Sequence, residues 1–135
     1  MAVNLKVCSL NVRGIKNKFK RTAFFKNFKK NKFDIVCLQE THVTRNDFDL
    51  WKKEWGGQCF FNEGTNRSKG EVILVSKHFN GKVTLVDQLE RTLIIKIDLE
   101  EAIYVLANCY APNYTAEKCN YYNTLYDTLQ TQTTT

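Results

Sequence analysis

The seven residues FDIVCLQ, 33–39, are apolar almost without interruption and too short for a buried helix. A run of this length and composition reads as a strand covered on both faces, which requires neighbouring strands and a layer above and below it. The chain must therefore be layered, with this strand well inside a sheet. The run then stops abruptly on Gln39-Glu40-Thr41-His42, an amide, a carboxylate, a hydroxyl and an imidazole in succession.

The remaining elements arrange themselves around that strand. NLKVCSLNV reads as a strand that meets a turn signal at Arg13-Gly14. KRTAFFKNFKKN places Ala23, Phe24 and Phe28 at helical spacing with lysines on the other faces. RNDFDLWKKEW predicts a short helix capped by Asn46 or Asp47. GGQCFFN, EVILVSK, KVTLVDQ, TLIIKID and AIYVLANCY follow as strands, the last three broken at Asn80-Gly81, Glu90-Arg91 and Glu100-Glu101. Such close spacing suggests antiparallel neighbours. AEKCNYYNTLYDTLQ carries Tyr121, Leu125 and Leu129 on one helical stripe, and the threonine-rich residues 131–135 read as a low-complexity tail. The order β-α-β-α, then strands, then a helix predicts an α/β or α+β sandwich with a mixed sheet.

Length limits the chain of 135 residues to one domain or part of one, and 43% apolar residues with nine Phe and six Tyr suffice for a core. A net charge of +6 suggests a polyanionic partner. Its placement is more informative: eight basic residues lie between Lys16 and Lys32, with no acidic one among them. A solvated helix face is the ordinary explanation, and nucleic-acid contact the functional one. The five cysteines form no CxxC pair and no zinc-type spacing, and Cys8, Cys37 and Cys109 sit in apolar runs. With no apolar N-terminal run of signal-peptide length, this predicts an intracellular protein, nuclear or cytoplasmic and not secreted, with no membrane association.

Three apolar strands end on polar residues: Asn11, Glu40, and the pair Asn108 and Tyr110. Beyond strand ends is where open α/β sheets bind ligands, so these residues are expected to converge. One carboxylate beside amides and a phenol suits a hard cation such as Mg2+, which takes one or two protein carboxylates and leaves its other positions to water and phosphate. Each residue alone has a plain alternative: an exposed terminal Glu, a turn-forming Asn, a packed Tyr. His42, two residues beyond Glu40, would face the same side in an extended chain and could meet phosphate there, although a free surface histidine is the simpler reading.

SLNVRGI, DIVCLQETH, GTNRSKGEVILVSK in outline, and NCYAPN occur in this order. Over about residues 3–130 they resemble the endonuclease/exonuclease/phosphatase superfamily, most of all the endonuclease domain that opens the second open-reading-frame product of LINE-type retrotransposons. The resemblance implies a four-layer sandwich of which this chain supplies roughly the N-terminal half, residues 1–130. It implies Mg2+-dependent (or Mn2+-dependent) hydrolysis of a phosphodiester in target DNA. Glu40 would be the metal ligand, Asn11 would help position metal and phosphate, Tyr110 would contact the phosphate, and Asn113 would lie near DNA. Arg13, Lys16, Lys18, Lys20 and Arg21, together with His42, are the candidates for further DNA contact.

Two departures qualify the resemblance. Gly70 is followed by Glu71, which places a charge on a strand built for burial; it must stand at an exposed edge or destabilise the fold. The family's Asp-x-Asn segment and C-terminal Asp-His pair have no counterpart in the sequence. The expectation is an endonuclease fragment inactive or nearly so alone, with a bare sheet face prone to self-association. The competing readings are a nucleic-acid-binding remnant without catalysis, a related nuclease acting on abasic DNA, and an ordinary α/β domain whose polar strand ends do not converge.

Overall fold

The computed structural model describes residues 4–112 and 115–133. Strand β1 (Val7–Asn11) is followed by helix α1 (Lys18–Lys30), β2 (Ile35–Gln39), a 3-10 turn over Arg45–Asp47, α2 (Phe48–Trp55), β3 (Gln58–Asn62) and β4 (Glu71–Val75). Strands β5 (Lys82–Leu89), β6 (Thr92–Asp98) and β7 (Ile103–Cys109) then precede α3 (Thr115–Thr133). That last helix runs through residues 131–133, which the sequence reading placed in the tail.

The first sheet has the order β1-β2-β4-β3 and is mixed, with β1 parallel to β2 and the other pairs antiparallel. The second is the antiparallel meander β5-β6-β7. Period-two alternation sorts the strand residues into two cores. Val36, Leu38, Val72 and Leu74 face α1 and α2, packing with Phe25, Phe28, Trp51 and Trp55. Ile35, Cys37, Ile73 and Val75 face the meander and pack on Leu93, Ile95 and Ile97. The residues of β6 between these, Thr92 and Ile94, point away from the first sheet and are fully buried, with the Thr92 hydroxyl hydrogen-bonded to Tyr121 of α3. The layers are therefore helix, sheet, sheet, helix, and β2 is buried on both sides as its composition required.

The expected bare sheet face is absent among the described residues, because the two sheets cover each other. Exposed apolar groups of the strands lie at sheet edges, Val7 and Leu10 on β1, Leu85 on β5, Ile103 and Tyr104 on β7, and others, Phe19, Leu50, Tyr122 and Tyr126, lie on the helices. β7 contacts β2 and β4 while β6 contacts β3 and β4, so the β1 and β7 edges open on the same flank.

Helix α1 starts where the Asn17 side chain accepts the Lys20 amide proton. Its buried face is Arg21, Phe25 and Phe28, one step round from the Ala23-Phe24-Phe28 stripe. The Phe24-Phe25 doublet leaves the phase ambiguous by one residue, and Phe24 is only half-buried. Arg21, 3% exposed, is the decisive member. Its Nε and Nη2 grip Glu54 at 2.7 and 3.0 Å, its Nη1 donates to the carbonyls of Ile15 and Lys16, and its guanidinium lies 5.2 Å from the Trp51 ring centre. Four of its five N–H groups are thus bonded within the fold, and Arg21 braces α1 against α2 instead of projecting from the lysine-rich face.

Of the two alternatives left for Glu71, an exposed edge or a destabilising charge, the structure excludes the edge. It sits on β4, an inner strand, and is 1% exposed. Oε1 accepts from Asn62 Nδ2 at 2.9 Å, while Oε2 has no hydrogen-bond partner among the described residues. Burial pushes its carboxyl up from 4.5 to about 7, against the opposing pull of Asn62, Arg91, Lys69 and the Gly70 amide. The charge is thus inside the sandwich, not at an edge.

Candidate active site

The parallel pairing of β1 and β2 sets Asn11 opposite Gln39, which brings Asn11 and Glu40 to one end of the sheet. The chains stay together beyond the strands: Val12 N bonds to Gln39 O, Gly14 N to Glu40 O and Ile15 N to Thr41 O. A third loop closes the other side, where Thr41 N and Oγ1 both donate to Gly70 O and His42 N to Lys69 O. Within these three loops Arg13, Glu40, His42 and Lys69 all have positive φ, between 51° and 64°. Left-handed backbone at four non-glycine residues is costly, and it persists only where surrounding bonds over-determine it.

Glu40 is half-buried and its carboxylate lies close to the Tyr110 phenol. The Glu40 carboxylate, then burial, hold the Tyr110 phenol above its ordinary value, while Arg91 and Arg13 pull it down. Tyr110 is fixed from behind, its amide bonded to Arg91 O and its ring 5.8 Å from the Arg91 guanidinium. Asn11 is exposed, with Oδ1 accepting the Arg13 amide at 3.2 Å. Glu40, Tyr110 and the Arg91 guanidinium are therefore grouped, with Arg13 within electrostatic reach of the phenol and Asn11 on the adjoining strand end. Such a site draws in an anion and still offers oxygen donors to a cation.

Beneath it lies a polar clasp between the sheets. Asn108, 2% exposed, donates to Leu38 O and Val72 O at 3.0 and 2.9 Å, and its Oδ1 accepts from Gln39 Nε2 at 2.8 Å. Asn108 thus serves the fold and not the ligand. Asn108→Ala is expected to destabilise the chain by about 2–3 kcal/mol in urea unfolding, since buried carbonyls and the Gln39 amide lose partners together.

The other sequence candidates divide. Arg13 is exposed in the site. Lys16 Nζ is occupied by Asp47 at 2.7 Å and Thr44 at 3.0 Å; burial alone would raise the Asp47 carboxyl, but hydrogen bonds from Lys16 and Thr44 outweigh it and hold it low. Lys20 Nζ ties down the carbonyls of Val12 and Arg13. Both lysines brace the β1 loop instead of projecting from it. Lys18 is exposed. His42 does not follow Glu40 as an extended residue would, because both have positive φ. Its ring lies against Gly14, where a Cβ would come within 2.6 Å of Nδ1. Asn113 lies outside the described residues. Arg91 joins the site although the sequence showed only a turn signal at Glu90-Arg91; nothing local could place it beside Tyr110.

No protein-family model matches the chain. An uncharacterised 149 kDa protein of transposon TX1 from Xenopus laevis is 30% identical over 123 residues, 90% of this chain and 9% of that protein. The endonuclease domain of TRAS1, a telomere-specific non-LTR retrotransposon, superposes with a TM-score of 0.68 at 16% identity, covering 96% of this chain and 54% of that one. The chain has the endonuclease/exonuclease/phosphatase fold. TDP2 from Caenorhabditis elegans (TM-score 0.65, 21% identity, 96% of this chain and 45% of that one) has a similar structure. So does an AP endonuclease from Archaeoglobus fulgidus (0.54, 24%, 81% and 42%). The chain spans about half, or less, of the solved structures it matches and about a tenth of the transposon protein.

Among the described residues no three His, Cys, Asp or Glu side chains form a metal-binding group, so an all-protein cage is not available. The donor set at Glu40 and Asn11 is oxygen only, which fits a sparsely ligated hard cation and not zinc. All five cysteines are free thiols; burial pushes Cys37 and Cys59 up to about 12, which keeps both uncharged. Among the described residues no helix is long and apolar enough to cross a membrane.

Proposed function

We propose that the chain carries the metal and phosphate half-site of a retroelement-type endonuclease whose substrate is DNA. The observation that carries this reading is the placement of Glu40 beside the Tyr110 phenol, with the Arg91 guanidinium over the Tyr110 ring and Arg13 within electrostatic reach. The 30% identity to a transposon protein and the fold shared with the TRAS1 endonuclease domain favour the retroelement branch over repair of abasic DNA.

In this reading the Glu40 carboxylate and Asn11 Oδ1 would hold Mg2+, or Mn2+ in its place, which would neutralise charge on a phosphate oxygen. The Tyr110 hydroxyl would donate to a non-bridging oxygen. Arg13 and Arg91 hold the phosphate group between them, a role guanidinium forks suit better than ammonium groups. Neither histidine is placed as the base that orients and deprotonates water: the His42 ring packs on Gly14 and His78 lies beside the opposite end of β2.

Incubated with supercoiled plasmid and Mg2+, these 135 residues are therefore expected to give no nicked circle above the level of Glu40→Ala. Nicking that vanished in Glu40→Ala would uphold the site and overturn the claim of inactivity. The bare β1 and β7 edges lead us to propose weak self-association as well, since unpaired edges template strand addition.

A further inference from the structure

The opposite end of the sandwich carries a second basic site, and its position divides the Lys16–Lys32 cluster in two. A cavity of about 540 Å³ opens beside the N-terminal end of β2, floored by Phe33 and Trp55 and rimmed by Lys29, Lys32, Lys77 and His78. Asp34 and Glu40 bracket β2, six residues apart, so the cavity lies roughly 20 Å from the Glu40 site at strand rise. A phosphate in one cannot occupy the other.

The rim is assembled from separate parts of the chain. Lys29 comes from the last turn of α1, Lys32 from a left-handed position with φ of 56° in the link to β2, and Lys77 from the exit of β4. The helix dipole accounts for cations at the end of α1, but not for Lys77. Three lysines line the cavity with one carboxylate, Asp34, whose Oδ2 already accepts the Lys6 amide at 2.9 Å; Lys29 Nζ also donates to Glu54 O at 3.1 Å. The cations lie over aromatic rings: Lys29 Nζ is 5.4 Å from the Trp55 centroid, and Lys6 Nζ 4.9 Å from that of Phe33. Phe33, half-buried, is the accessible part of the apolar floor, and Trp55, 4% exposed with Nε1 bonded to Val75 O, holds it from beneath. By contrast, the cavity of about 520 Å³ between the β5–β6 turn and α3 has Glu90 and Glu117 in its wall and suits no polyanion.

We infer that the cavity floored by Phe33 and Trp55 binds a nucleotide unit of a single-stranded nucleic acid, with phosphates on the lysine rim and the sugar or base on the floor. The volume accommodates one nucleotide in a concave site, whereas a duplex is too broad to enter. A phosphate-bearing chain with a flat apolar group at each step matches a basic rim over an aromatic floor. The inference rests on no part of the Glu40 reading.

The test is fluorescence anisotropy of a labelled short oligothymidylate in chelator, so that no cation bridges it to Glu40. Binding by the wild type is expected to weaken by on the order of tenfold in Lys32→Glu/Lys77→Glu, with a salt slope near −2 for about three phosphate contacts. Lys26→Glu/Lys53→Glu, at exposed positions of α1 and α2 outside the cavity lining, is expected to bind as the wild type. Thymidine monophosphate should compete, and inorganic phosphate at equal ionic strength should not. Absence of binding, loss confined to the Lys26/Lys53 variant, or equal competition by inorganic phosphate would each overturn the proposal. Circular dichroism matching the wild type establishes that both variants fold.

Discussion

Arg21→Ala is expected to lower the unfolding free energy by about 3 kcal/mol, read as a drop in the urea midpoint at unchanged slope. Arg21 is buried on α1 and joins three segments: Glu54 of α2, the carbonyls before α1 and the face of Trp51. Truncation leaves Glu54 without its cation and two carbonyls without donors. The effect falls at the low end of the range for broken buried pairs because the Glu54 side chain is 20% exposed and can still reach water. Arg21→Lys retains the charge but not the fork, and should lose roughly half as much. Arg21→Met/Glu54→Leu removes both charges, and should recover most of the loss. Full stability in Arg21→Ala would refute the assignment of this residue to the fold.

The second large effect concerns Glu71. Its carboxyl titrates near 7 in the folded chain against 4.5 when unfolded, because burial disfavours the anion. Below about pH 4.5 the group is protonated in both states and costs nothing. Between pH 4.5 and 7 the unfolded state ionises first, so stability falls as pH rises and levels off above 7. Glu71→Gln keeps the shape and the neutral form at every pH. It should match the wild type below pH 4.5 and exceed it above pH 7 by about 3 kcal/mol, from the 1.36 kcal/mol carried by each pKa unit. Parallel stability–pH curves for the two proteins would show that Oε2 finds a partner and that Glu71 is no lesion.

These two residues also mark where reading the sequence succeeds and where it stops. β2 was legible because burial on both faces leaves a continuous apolar run, and the meander because its strands alternate with short turn signals. The placement of Asn11, Glu40 and Tyr110 at strand ends was legible because strand ends are fixed by the hydrophobic pattern. Arg21 was not, since its partner Glu54 is 33 residues away and a lysine-rich helix gives no local sign of which cation turns inward. Nor was Arg91, which reaches the site only through the β5–β6 hairpin. His42 misled because the period-two rule presumes extended backbone, and φ at Glu40 and His42 is positive. The bare face was misplaced for a different reason. Pattern assigns a residue to a face of its strand, but only the sheet order shows that the meander lies over the first sheet.

The claim that matters most is that Glu40, Asn11 and Tyr110 hold a divalent cation together with phosphate. It is tested directly by Mn2+ titration of the isotope-labelled chain, following paramagnetic broadening of the amide signals. The expected result is broadening centred on Asn11, Glu40 and Tyr110 that deepens when a short DNA duplex is added and is lost in Glu40→Gln. Broadening spread over the acidic surface, or unchanged in Glu40→Gln, would contradict the assignment.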